Sequence, residues 1–133
     1  MNSPAIELRL LGLAVVIGLV QLIWSTVVGS RQRSREWLAG PRDEVVPAYT
    51  GAAGRLDRAF RNFMETFPMF AAAVVAAYLM AKLSALTMWG SGLYVAGRAL
   101  YVPLYVAGVP VARSLVWTVA SVGLVMVVVA LFL

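Results

Sequence analysis

The sequence predicts an all-α integral membrane protein whose single domain, residues 1–133, is a bundle of four transmembrane helices. Hydrophobic residues make up 62% of the 133-residue chain and charged residues only 13%, and the mean hydropathy is +0.85. These values lie far from those of soluble proteins. Four apolar stretches of about twenty residues, each long enough to cross a bilayer, use most of the length. Little sequence is left for a separate soluble domain.

The first predicted helix covers residues 6–28, and Trp24 lies near its end, where tryptophan favours the membrane interface. A signal peptide would begin with basic residues and have a shorter apolar core, whereas this segment carries Glu7 at its start. We therefore expect it to be retained as a span. Residues 29–54, which follow, are rich in Arg, Pro, Gly and Ser and are predicted to form a loop with limited regular structure.

The remaining three helices are predicted over residues 56–82, 86–106 and 115–133. Pro68 lies inside the second helix, where its missing N–H removes a backbone hydrogen bond and predicts a kink. A short turn around Gly108 separates the third helix from the fourth, which is almost purely aliphatic. The connections after the first one are therefore short, and the helices account for most of the chain.

Basic residues are distributed unevenly between the two ends of the predicted helices. The end that carries both termini has only Arg9 and Lys82, whereas Arg113 lies at the opposite end with the first connection. Because cytoplasmic connections carry the excess of Lys and Arg, this opposite end is predicted to face the cytoplasm, with both termini away from it. The net charge of +5 has this topological explanation, so we expect no nucleic-acid partner. The arginines in and beside the first connection are Arg31, Arg33, Arg35, Arg42, Arg55, Arg58 and Arg61.

The chain contains no Cys and no His. This excludes a protein thiolate, an imidazole base and a disulfide framework, and it removes the usual ligands of zinc, haem and iron–sulfur centres. We expect no metal site. Catalysis would have to use Arg, Tyr, Ser, Asn and carboxylates, or a reactive group that a substrate brings.

A polar face opens the second predicted helix. At 100° per residue, Arg58, Asn62 and Glu65 fall within about 60° of one another, so a cation, an amide and a carboxylate point in one direction. One interpretation is an interfacial charge network that ties helices together. A carboxylate two turns into a span is costly unless it meets a partner, so this interpretation also requires a specific contact.

The third predicted helix carries Arg98, Tyr101 and Tyr105 on one stripe, at spacings of i, i+3 and i+7. An arginine halfway through a span should face a protein interior or a wet cavity rather than lipid. Arg98 is therefore a candidate partner of Glu65, with the two tyrosines as interface residues. Such an ion pair would not exclude a ligand site. The many nearby basic residues and few acidic ones predict a positively charged cavity suited to an anion.

Arg113 and Ser114 lie at the start of the fourth helix, on the same side as the stripe. Arg113 is also explained as a basic anchor at the cytoplasmic face. Composition and spacing alone leave two interpretations open. The chain is either an anion-binding membrane protein or a scaffold with a buried ion-pair network.

Three polar segments taken together resemble the MAPEG family, the membrane-associated proteins in eicosanoid and glutathione metabolism. The second helix opens on the pattern Arg-Ala-x-x-Asn-x-x-Glu, the third carries Arg-x-x-Tyr-x-x-x-Tyr, and Arg-Ser precedes the fourth. The resemblance covers the whole length, helix for helix. The positions that carry it are Arg58, Ala59, Asn62, Glu65, Arg98, Tyr101, Tyr105, Arg113 and Ser114.

The resemblance implies a homotrimer with a glutathione site in each subunit interface, near the cytoplasmic face. Arg113 would stabilise the glutathione thiolate with Ser114 beside it, because a neighbouring guanidinium lowers the pKa of a thiol. Either Arg31 or Arg33 would correspond to the family's arginine at the end of the first helix. The residues that would hold glutathione as cosubstrate are Arg58, Asn62, Glu65, Arg98, Tyr101 and Tyr105.

The function that the resemblance implies is a glutathione-dependent membrane transferase or peroxidase. Its second substrate would be a lipophilic small molecule that arrives from the surrounding membrane lipids. We expect a prokaryotic member in a bacterial inner membrane. The alternative is a non-enzymatic scaffold or lipid-binding trimer in which the polar network is structural.

Overall fold

A computed structural model describes residues 5–133 of the chain, and within that range all regular secondary structure is helical. The predicted all-α class is confirmed, while the first four residues of the predicted domain lie outside the described range. The helices are α1 (Ile6–Ser30), α2 (Arg35–Ala39), α3 (Gly51–Leu79), α4 (Ala85–Val106) and α5 (Pro110–Ala130).

Three of these helices, α1, α3 and α5, are long and apolar enough to cross a membrane. On α1, for example, the outer surface is apolar, because Val16, Leu19 and Ile23 are all exposed there. Helix α4 has 22 residues, the length of a span, but it carries glycines, hydroxyl residues, tyrosines and Arg98, which lower its apolarity. On length and composition the described chain therefore offers three spans, where the sequence predicted four.

Two predicted helix starts and the predicted loop need correction. Helix α3 begins at Gly51 rather than at residue 56, and α5 begins at Pro110 rather than at residue 115. A proline fits the first turn of a helix because its fixed φ is helical and its missing N–H has no partner there. The predicted loop, residues 29–54, therefore holds both the start of α3 and the short helix α2.

Helix α3 continues through Pro68 as one helix and ends at Leu79 rather than at residue 82. The reason is a Schellman turn: Ala81 adopts a left-handed φ of 55°, and the Lys82 N–H donates to the carbonyl oxygen of Ala77 at 2.8 Å. Glycine is the usual residue at such a position. Alanine there gives little sequence signal, which explains the late predicted end.

The core lies where α3, α4 and α5 meet the inner face of α1. The ring of Tyr94 stacks on Phe70 with 4.0 Å between ring centres, and its hydroxyl hydrogen-bonds the Thr66 hydroxyl at 3.0 Å. At the other end of the bundle, buried Glu7 accepts a hydrogen bond of 2.7 Å from Thr87, which belongs to the capping box of α4. Polar contacts thus tie α1 and α3 to α4 at two depths.

Helices α4 and α5 are antiparallel and cross at a pair of buried glycines, Gly90 and Gly123. A Cβ atom added at Gly90 would lie 2.7 Å from the Gly123 carbonyl oxygen and 2.9 Å from Cβ of Met126. Backbone rather than a flexible side chain occupies that space, so it cannot be vacated without moving a helix. Small residues at such crossings allow close backbone approach within membranes.

We expect Gly90→Ala to destabilise the protein by about 1–3 kcal/mol, because an extra methyl group in a filled crossing forces the helices apart. The thermal midpoint of the detergent-purified protein measures this loss. Gly92→Ala is the matched control, since a Cβ atom at Gly92 on the same helix meets nothing within 4 Å. Equal midpoints for the two variants would contradict the tight crossing.

Candidate functional site

Arg98 is the largest fully buried side chain among the described residues, with 1% of its surface exposed. Its Nη1 donates to Oδ1 of Asn62 at 2.8 Å, and its guanidinium carbon lies 4.4 Å from the centre of the Tyr101 ring. Nε and Nη2 are buried without a partner. Within the described residues Arg98 makes no ion pair with Glu65, the partner considered from the sequence. An amide oxygen and aromatic faces therefore replace the expected carboxylate.

Three further arginines surround the end of α4. Arg58 donates through Nε to the Tyr105 hydroxyl at 3.0 Å, and the Arg113 guanidinium carbon lies 4.7 Å from the centre of the same ring. Arg55 donates through Nε to the carbonyl oxygen of Val106 at 2.9 Å. Cations are favoured at this place because the last carbonyl groups of a helix carry partial negative charge.

A polar cleft of about 460 Å³ opens between α3, α4 and α5, and a side pocket of about 130 Å³ adjoins it across the Tyr105 ring. The cleft volume lies within the range of small-molecule sites, roughly 300–1,000 Å³. The cleft is lined by Asn62, Tyr101, Tyr105, Arg113, Ser114, Trp117 and Thr118. The side pocket is lined by Arg55, Arg58, Tyr105, Gly108, Val109, Pro110 and Arg113.

No carboxylate pairs with the arginines of the cleft. Within residues 5–133, the one ion pair joins Arg61 to Asp57 at 3.1 Å, one turn apart on the exposed face of α3. The positive charges of Arg55, Arg58 and Arg113 are thus left uncompensated around a cavity. Such a cavity attracts an anion, because several positive charges converge on it without a nearby carboxylate.

The model of the MAPEG family matches residues 10–133, nearly the whole chain. The chain belongs to the MAPEG family. Comparison with curated proteins and with solved structures gave no match. Family membership and the three apolar helices together make this MAPEG chain an integral membrane protein with several spans, whose outer faces contact lipid.

Most of the residues predicted for the site come together in the MAPEG chain. Arg98 lies directly behind the cleft, where its bonded neighbour Asn62 is part of the lining, and Arg58 lines the side pocket. Glu65 and Arg31 are exposed and line neither cavity within a single chain. The predicted residues that line the cleft itself are Asn62, Tyr101, Tyr105, Arg113 and Ser114.

Sequence reasoning missed three residues that line these two cavities. Trp117 and Thr118 line the cleft, and Arg55 lines the side pocket. The signal for the first two was present, because they lie four residues after Arg113 and Ser114 and therefore share their face of α5. Arg55 entered the sequence analysis only among the arginines that predict which end of the bundle faces the cytoplasm.

Proposed function

We propose that this protein is a glutathione-dependent membrane transferase or peroxidase that acts on lipophilic electrophiles. The observation that carries the proposal is buried Arg98, which has two nitrogen atoms, Nε and Nη2, without a hydrogen-bond partner beside a cationic cleft. A buried charge in this state is costly, and a bound carboxylate would offset the cost. Glutathione has two carboxylates and supplies the thiol that this chain lacks.

The proposal assigns the residues that line the cleft, and Arg98 directly behind it, to binding or to chemistry. Arg58 and Arg98 would pair with the glutathione carboxylates, while Asn62 offers an amide that can both donate and accept hydrogen bonds. Tyr101 and Tyr105 provide ring faces and hydroxyl groups between these cations. Arg113 lies at the α5 side of the cleft, across the Tyr105 ring, and it is the guanidinium assigned to the thiol.

Bound glutathione supplies the nucleophile, a thiol that must lose its proton to react. Arg113 would favour the charged form by direct attraction, and the released proton would pass to water in the open cleft. With a halogenated aromatic substrate, a C–S bond forms and halide leaves. Ser114 already donates its hydroxyl hydrogen to the Pro110 carbonyl oxygen at 3.1 Å. Its oxygen would therefore accept a hydrogen bond from the glutathione thiol.

We further propose that the protein is a homotrimer of chains with four spans each, α4 being the fourth. The site would lie between subunits, which gives exposed Glu65 and Arg31 a place in it on a neighbouring chain. The arginine-rich end of the bundle would face the cytoplasm of a bacterial cell. The mass of the detergent-solubilised particle tests the trimer independently of ligand binding.

The central test is a thermal-shift titration with glutathione on the detergent-purified protein. A ligand that binds only the folded state raises stability, by about 2.7 kcal/mol at a concentration a hundred times its Kd. We expect a rising midpoint with millimolar glutathione and none with dithiothreitol, a thiol without carboxylates. Calorimetry then gives the affinity, and conjugation of a chlorodinitrobenzene gives the turnover.

The scaffold alternative predicts the opposite pattern. If the arginines only hold the helices together, glutathione leaves the thermal midpoint unchanged and no conjugate forms. The network would then serve only to hold the helices together, through the hydrogen bonds from Arg98 to Asn62 and from Arg58 to Tyr105. Absence of both binding and turnover would overturn the enzymatic proposal.

A further inference from the structure

The connection between α1 and α3 is folded against the bundle, and we call residues 31–50 the strap. Gln32 and Thr50 close it with two hydrogen bonds of 3.0 Å, one from the Gln32 side-chain amide to the Thr50 carbonyl oxygen and one from the Thr50 N–H. The Tyr49 ring packs on Gly29, where an added Cβ atom would lie 3.2 Å from it. The strap is thus held at both ends.

Two arginines of the strap, Arg33 and Arg42, lie against its aromatic rings. The guanidinium carbon of Arg33 lies 4.1 Å from the centre of the Tyr49 ring and 5.3 Å from that of Trp37. The guanidinium carbon of Arg42 lies 5.2 Å from the Trp37 ring. Arg33 keeps its Nε buried without a hydrogen-bond partner. Two guanidinium groups are therefore held in place, and they retain N–H groups that can donate to a ligand.

A cavity of about 270 Å³ lies beneath the strap, between it and helices α1 and α3. Its walls differ in character. Leu22, Leu38 and Phe60 are apolar, Ser25 and Thr26 bring hydroxyl groups, and Arg42 provides the cation. The full lining is Leu22, Ser25, Thr26, Ser30, Trp37, Leu38, Arg42, Tyr49, Asp57 and Phe60.

The cavity extends from the apolar part of α1 to the strap beyond the end of that helix. Leu22 lies in the third turn from the end of the apolar helix α1 and is 44% exposed, so the cavity opens toward lipid on that side. Arg42 belongs to the strap, beyond the end of α1. A ligand that fills the cavity therefore has its apolar part beside a spanning helix and its polar part at the level of lipid head groups.

We propose that the cavity under the strap binds an acidic phospholipid, with the phosphate at Arg42 and one acyl chain leaving past Leu22 and Phe60. The sign of the head group follows from the charges that face the cavity. Asp57 is the one carboxylate in the lining, and its charge is paired with Arg61. The Trp37 ring already lies beside two guanidinium groups, which would repel the ammonium group of a zwitterionic lipid.

This site is separate from the glutathione cleft, with which it shares no lining residue. Lipid bound there would join the strap to α1 and α3, so binding stabilises the folded protein by mass action. The proposal does not depend on the proposed function. It holds or fails without glutathione.

Native mass spectrometry and thermal shift of the detergent-purified protein test the lipid site, with phosphatidylglycerol and phosphatidylcholine of identical acyl chains as probes. We expect phosphatidylglycerol to bind and raise the thermal midpoint, and phosphatidylcholine to do so much less. Arg42→Gln should weaken phosphatidylglycerol binding about fivefold, the effect of one basic residue near an anionic head group.

Arg35→Gln is the matched control, because it removes the same charge from the strap at an exposed residue outside the cavity. Ser25→Phe supplies a second variant, which fills the cavity without changing charge and should also weaken binding. If Arg35→Gln weakens binding as much as Arg42→Gln, the attraction is diffuse and the site is wrong. Equal binding of the two lipids would overturn the proposed head group.

Discussion

Replacing Arg113 with alanine should lower kcat for glutathione conjugation of a chlorodinitrobenzene by about 100-fold, the loss typical when one preorganised charge-stabilising donor is removed. Arg113 lines the cleft, and its guanidinium carbon lies 4.7 Å from the Tyr105 ring centre. The proposal assigns it to the thiol rather than to the carboxylates. The Kd for glutathione should therefore change by less than about threefold, because only stabilisation of the reacting group is lost.

Calorimetry and steady-state kinetics on the same preparation separate these two quantities. Arg113→Lys keeps the charge and should recover part of the turnover, with the remaining deficit set by the different geometry of an ammonium group. Arg61→Ala is the control for a lost arginine, since Arg61 is exposed and paired with Asp57. Parallel losses of binding and turnover in Arg113→Ala would assign Arg113 to binding instead.

The two polar stripes of the site were predictable because helical periodicity fixes which residues share a face. Arg58 with Asn62, and Arg98 with Tyr101 and Tyr105, are placed on common faces by spacing alone. What spacing does not fix is the rotation of one helix against another. For this reason Glu65 was considered as the partner of Arg98, whereas the structure brings Asn62 to it, at 2.8 Å.

The strap and the helix crossing were beyond sequence reasoning for a related reason. The strap depends on contacts between distant residues, such as Gln32 with Thr50, and its composition of Arg, Pro and Gly is that of a loop. Gly90 and Gly123 likewise look like ordinary glycines in apolar segments until the helices are placed against each other. Local propensity does not report on such long-range packing.

The Arg98→Met variant should lose the glutathione-induced thermal shift while the ligand-free protein keeps or raises its thermal midpoint. Methionine resembles the unbranched stem of arginine, so most of the buried volume stays filled. Removing the head group eliminates two buried nitrogen atoms without a hydrogen-bond partner, and each unsatisfied buried donor costs about 1–3 kcal/mol. Asn62 loses its donor, but it lines the open cleft, where water can replace the lost bond.

Loss of Arg98 should at the same time weaken glutathione binding by at least about thirtyfold, because truncating one partner of a buried charge pair costs 2 kcal/mol or more. Arg9→Met, at an exposed residue near the other end of the bundle, should change neither the thermal midpoint nor the affinity for glutathione.

Whether Arg98→Met raises or lowers the thermal midpoint of the ligand-free protein decides between the two classes of function. A group retained for a ligand lowers the stability of the empty protein, so its removal is harmless until glutathione is added. If Arg98 instead serves to hold the helices together, Arg98→Met lowers the midpoint in the absence of glutathione and dissociates the assembly.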